Sequence, residues 1–128
     1  MLYKLLGLMG LSLCVLACDR EYTYQYLTTH PKILEQVLAN CQQTSLSDAT
    51  SSIDCVNAEN ARQEVAGLLN EVTANLQGFG QKILAAQNTL ADLEFEYHKR
   101  PSEKLQAAVT SQQDYIDRLL AITSYIGE

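Results

Sequence analysis

Residues 65–97 read VAGLLNEVTANLQGFGQKILAAQNTLADLEFEY. Apolar side chains fall at Val65, Leu69, Val72, Leu76, Phe79, Ile83, Ala86, Leu90, Leu93 and Tyr97, spaced alternately by four and three residues. In an α-helix that spacing gathers them on one stripe, whereas a strand would need a period of two. The stretch predicts one long helix from about residues 54–57 to Lys99, and with it an all-α fold. At ~1.5 Å per residue, an unbroken helix of this extent would be roughly 55–60 Å long. Gly78 and Gly80 flank Phe79, and each disfavours a helix interior by about 1 kcal/mol. They either kink or split the helix, or let another backbone approach closely.

Downstream, the signals are sharp. Lys99 and Arg100 suit the negative end of a helix dipole, and Pro101 stops the helix. Ser102 is a cap for a further helix, with Glu103 in its first turn. Leu105, Ala108, Val109, Gln112, Tyr115, Ile116, Leu119, Ile122 and Ile126 give that helix one stripe, and Gly127 follows. The short link between the two helices makes them antiparallel neighbours. Gln112 is either a polar layer that fixes their register or the edge of the stripe. The second helix is too short to cover the whole seam of the first. The remainder must pack on upstream elements or on another copy, so a homo-oligomer is possible.

Upstream, Pro31 suits a first helical position, and Ile33, Leu34, Val37, Leu38 and Cys41 recur at helical spacing. The expected helix runs from Pro31 to about Asn40. Residues 42–54, QQTSLSDATSSID, read as a polar loop. Residues 19–29, DREYTYQYLTT, carry Tyr22, Tyr24 and Tyr26 at alternate positions. Extended, they would present three rings on one face as candidate partner contacts. Alternatively the segment is a linker, or residues 24–27 dock on the helices.

The first 18 residues are MLYKLLGLMGLSLCVLAC. Lys4 is a basic n-region, residues 5–16 an apolar h-region, and Ala17 a small residue at a cleavage point. Val15-Leu16-Ala17-Cys18 resembles a bacterial lipobox. The resemblance implies removal of residues 1–17, a diacylglyceryl thioether on Cys18 and an N-acyl chain on its amine. These covalent lipids would be the only attached groups, since nothing points to a cofactor. Asp19 resembles the signal that holds such proteins in the inner membrane, which favours that membrane over the outer one. The expected place is the bacterial envelope, lipid-anchored and facing the periplasm. Cys14 leaves with the leader, so Cys41 and Cys55 remain in an oxidising compartment, and a disulfide between them is expected.

The composition excludes several classes of function. The chain has 128 residues, 47% apolar and 19% charged, and a net charge of −6. That is the make-up of one modest folded unit. An acidic chain without a basic run is repelled by phosphate backbones, so no nucleic-acid partner is expected. His30 and His98 stand at no ligand spacing from a second Cys or His, so no metal site is expected. No nucleophile–base set or phosphate-binding loop presents itself, and no enzyme is expected. The acids Asp92, Glu94 and Glu96 read as a solvated helix surface.

A second resemblance covers residues 1–65. Tyr26-Leu27, His30-Pro31, Leu38-Ala39-Asn40-Cys41 and Cys55-Val56-Asn57-Ala58 with Ala61 resemble the EexN-type entry-exclusion lipoproteins. These have a lipobox, an aromatic segment before a His/Asn-Pro helix start, a cysteine closing that helix, a polar loop and a Cys-x-Asn-Ala motif. The resemblance implies a conjugation-associated lipoprotein that recognises a donor transfer channel without chemistry. In plain physical terms, Asn57 is expected to cap a helix, while Ala58 and Ala61 let it approach its neighbour. The extension beyond the motif suggests an alternative, a structural lipoprotein of a type IV secretion apparatus that assembles through its coiled hairpin. The expected layout is a signal peptide (1–17), a lipidated tether (18–29), a two-cysteine module (30–65) and a helical hairpin (66–128).

Overall fold

A computed structural model describes residues 22–43 and 49–128. The leader, Cys18 and Asp19, together with residues 44–48, lie outside the described residues. Five helices follow one another: α1 (Tyr24–Thr29), α2 (Pro31–Gln43), α3 (Ala49–Ala74), α4 (Leu76–Lys99) and α5 (Glu103–Ile126). There is no strand among the described residues, and the fold is all-α with an antiparallel α4–α5 hairpin.

Residues 24–29 of the tyrosine segment are helical, not extended. Thr23 caps α1, its hydroxyl accepting from the Tyr26 amide at 3.2 Å. Leu27 and Thr28 are completely buried, so the chain from Tyr22 onward belongs to the folded body and not to a tether. Burial of a leucine stabilises by about 1.5–3 kcal/mol, enough to hold one short turn that would not persist alone. The supposed common face of the tyrosines is lost. Tyr22 and Tyr26 are neighbours, with ring centroids 6.2 Å apart, while Tyr24 lies about 200° round the helix from Tyr26.

The expected long helix is two helices, and the break precedes the glycines. Asn75 leaves the helical region at φ −153° and ψ 83° and caps α4, its Oδ1 accepting from the Gly78 amide at 2.8 Å. Gly78 permits this: a Cβ there would lie 2.5 Å from Asn75 Nδ2. Gly80 meets nothing and has no such duty. The chain folds back at this point. Lys82 Nζ lies 2.7 Å from Glu71 Oε2, whereas one straight helix would raise these residues roughly 16 Å apart. Leu76, the first residue after the cap, is 66% exposed, so the apolar seam skips it and resumes at Phe79.

One core joins all five helices. Leu27 of α1, Leu34 and Val37 of α2, and Val65 and Val72 of α3 are buried together with Phe79 and with Ile116, Leu119 and Ile122. The first half of the seam is covered by α1 and α2, so it closes within the chain. The boundary expected at 65/66 falls inside α3, and the two-cysteine segment has no separate core. The helix α3 also starts earlier than expected, at Ala49, so only part of the 42–54 stretch connects α2 to α3.

The polar stripe residue Gln112 ties the hairpin. Its Nε2 donates to the Ala86 carbonyl at 3.0 Å, and Ala86 is small enough to be buried at that crossing. Ser102 caps α5 by accepting from the Leu105 amide, and Arg100 closes α4. The α5 helix runs in the same sense as α3. Arg118 Nε lies 2.9 Å from Glu64 Oε1, and further along both helices Tyr125 and Leu69 line one cleft with Leu34 and Leu38.

Candidate functional site

Of the residues carrying the resemblance, Cys41, Cys55, Asn57 and Ala58 lie toward the start of α3, whereas Pro31 lines a cleft with Arg62, Val65 and Leu69 farther along that helix. The Cys41–Cys55 disulfide is formed, with Cα atoms 5.8 Å apart, and joins the last turn of α2 to the second turn of α3. Chain entropy for a loop of this size gives about 3 kcal/mol. Ala58 and Ala61 are completely buried on the α3 face that receives α1 and α2. Their small side chains leave room for that approach.

Asn57 does not cap a helix, because α3 has already begun at Ala49. Its Nδ2 instead donates to the Tyr22 carbonyl at 3.0 Å. One turn earlier, Asp54 Oδ1 accepts from the Tyr22 amide at 2.9 Å. Both backbone groups of Tyr22 are thus held by two side chains that share a face of α3. Asp54 was not singled out in the sequence, where it read as part of a polar loop. The clamp holds Tyr22, the first described residue, against α3.

His30 sits at the joint between α1 and α2. Its amide donates to the Leu27 carbonyl, its ring stacks on Tyr26 with centroids 4.0 Å apart, and its Nδ1 lies 2.7 Å from the Tyr26 carbonyl. Its own carbonyl accepts from Leu34, so the first bond of α2 starts there. Pro31, which needs no donor, follows directly and is buried. Tyr26, His30 and Pro31 therefore act together as a corner. Tyr22, Tyr24 and Tyr26 are half-buried against the core and retain partial exposure.

Beside this corner lies a cleft of about 370 Å³ lined by His30, Lys32, Ile33, Ala121 and Tyr125, among others. Lys32 pairs with Glu128. Tyr125 donates its hydroxyl proton to Glu35, and this bond, with some burial, raises the phenol above its ordinary range. Lys82 is also raised, chiefly by its hydrogen bond to Glu71. Glu59 is lowered and Arg62 raised by their mutual hydrogen bond. The Glu64–Arg118 pair is the most enclosed ion pair among the described residues, and its contact is close in distance without hydrogen-bond alignment. The Glu59–Arg62 pair lies within α3, whereas Tyr125–Glu35, Lys82–Glu71 and Glu64–Arg118 each join two helices.

Among the described residues no cluster of His, Cys, Asp or Glu is arranged to hold a metal ion, and no helix is long and apolar enough to cross a membrane. Two further surfaces stand out by exposure. Ile53 and Val56 of α3 are 53% and 59% exposed, and Leu84 and Phe95 of α4 are 61% and 59% exposed. The latter two are three helical turns apart and share a face. Comparison with known protein families, curated proteins and solved structures finds no match.

Proposed function

We propose that the protein is a lipid-anchored, periplasm-facing lipoprotein of a conjugation system that mediates exclusion by binding a component of a donor's transfer channel. The observation that carries this reading is that the resembling residues supply the joints between α1, α2 and α3. Tyr26, His30 and Pro31 form a corner, Cys41 and Cys55 a covalent tie, and Asn57 with Ala58 the contact between α3 and the incoming chain. A recognition module needs such a rigid scaffold so that little freedom is lost on binding. Its exposed neighbours, including the partly exposed tyrosines, supply contact area. Attachment at Cys18 with Asp19 beside it favours the inner membrane, where a transfer channel would have to open.

The test is a mating assay. Recipients that express this chain alone should accept the cognate element less often than recipients with an empty vector. The Cys18→Ser form should lose that effect. Unchanged transfer frequency with the wild-type chain would end the exclusion reading.

Leu84 and Phe95 on the outer face of the hairpin favour a second reading, a structural lipoprotein of a type IV secretion apparatus. Exposed apolar residues on one helical face suit helix–helix assembly. Under that reading, deleting the gene in the donor should impair assembly of the apparatus, and intact assembly would end it.

A further inference from the structure

From the geometry of the Tyr22 clamp we infer that the outer face of the α3 start, carrying Ile53 and Val56, lies against the lipid surface to which Cys18 is anchored. This inference rests on the lipid-anchor reading above and adds the orientation of the domain on the bilayer.

Chain length is the first argument. Tyr22 is held through both its amide and its carbonyl by Asp54 and Asn57. It follows Cys18 by only four positions, a stretch that spans at most about 14 Å. The thioether carbon on Cys18 sits at the depth of the lipid headgroups, so Tyr22 and the α3 residues that hold it stay within about 14 Å of that surface.

The chemistry of the surface is the second argument. Ile53 and Val56 are one turn apart and point outward, more than half exposed. They adjoin the disulfide and the clamp: Ile53 precedes Asp54, and Val56 lies between Cys55 and Asn57. From Ala49 to Ala58 the only charged residue is Asp54, and it is engaged with the Tyr22 amide. An uncharged face with two branched apolar side chains suits the boundary between headgroups and acyl chains. Farther along α3, Glu59 and Arg62 return the surface to charge. The apolar exposure thus coincides with the part of the fold that the anchor holds closest to lipid.

The chain has no tryptophan, which provides the test. Single-tryptophan variants I53W, V56W and L76W are purified as membrane-extracted protein and reconstituted in vesicles of phosphatidylethanolamine and phosphatidylglycerol doped with acyl-brominated phosphatidylcholine. Leu76 is at least as exposed but opens α4 just beyond the opposite end of α3, an end roughly 25 Å from Asn57. It therefore controls for the affinity of tryptophan itself. Intact mass reports the lipid on each variant, and far-UV circular dichroism reports the fold. With acylated protein, the indole emission of I53W and of V56W should shift to the blue and be quenched several-fold more than that of L76W. If the acyl mass is present and I53W and V56W are quenched no more than L76W, the lipid contact is overturned. The patch is then free for a protein partner, and the anchor reading stands. If no variant carries acyl mass, the anchor reading fails and the orientation fails with it.

Discussion

Substituting Gly78 and Gly80 one at a time separates two glycines that look alike in the sequence. Alanine at a helix interior is worth about 1 kcal/mol over glycine. At Gly80 a Cβ meets nothing within 4 Å, so G80A should stabilise by about 1 kcal/mol. At Gly78 a Cβ would fall 2.5 Å from Asn75 Nδ2 and 2.9 Å from its Cγ. The Asn75 side chain must turn away and release the Gly78 amide, and losing such a cap costs ~1 kcal/mol. Gain and loss cancel, and G78A should be close to neutral. The decisive comparison removes the cap first. N75A alone should destabilise by about 1 kcal/mol, and G78A added to N75A should recover the full alanine gain, a coupling of ~1 kcal/mol between the two positions. Urea denaturation of the Cys18→Ser form, read as a midpoint shift at constant slope, measures all of these. If G78A stabilises as much as G80A, or if the Asn75/Gly78 cycle is additive within ~0.3 kcal/mol, the cap is not what ends α3.

Replacing Cys41 and Cys55 together with serine should lower stability by about 3 kcal/mol, and reducing agent should bring the wild type to the same urea midpoint. D54A and N57A each remove one bond to Tyr22. Each should cost about 1 kcal/mol, and hydrogen exchange at residues 22–27 should speed up more than in α4 or α5. Tyr125 and Lys82 are both raised by carboxylate partners, so the stability they contribute is complete at neutral pH and fades as pH rises past about 10. Y125F removes the phenol, so in urea melts its loss of stability between neutral and alkaline pH should be shallower than the wild type's. Truncation after Leu69 strips Phe79, Ile116, Leu119 and Ile122 from the shared core. The fragment should lack the cooperative thermal transition of the whole chain.

Much of the fold was legible because its signals are local. Pro31 begins α2, Pro101 and Ser102 separate α4 from α5, and the apolar stripe of α5 ends where Gly127 follows. The disulfide was legible from the cysteine count, on the expectation that Cys14 and Cys18 belong to a leader and an anchor. The break at Asn75 was partly legible. Gly78 and Gly80 marked a place where the helix could split, but the cap at Asn75 itself was not read from the sequence. In α1 the alternation of the tyrosines suggested an extended segment, while the cap at Thr23 and the burial of Leu27 decided for a helix. Tertiary burial overrides local period in so short a piece. The early start of α3 was hidden by residues 49–54, whose Ser, Thr and Asp content reads as loop. The role of Asn57 was beyond local reading, since its partner lies 35 residues away. The same holds for Glu64 and Arg118, whose pairing depends on α5 returning alongside α3.

Attachment at Cys18 underlies the exclusion reading and the orientation on the bilayer alike. Intact-mass spectrometry of the protein extracted from bacterial membranes measures it most directly. The expected species begins at Cys18 and is heavier than its amino-acid mass by a diacylglyceryl group and one further acyl chain. A species that retains Met1, or one that begins at Cys18 with no added mass, would contradict it.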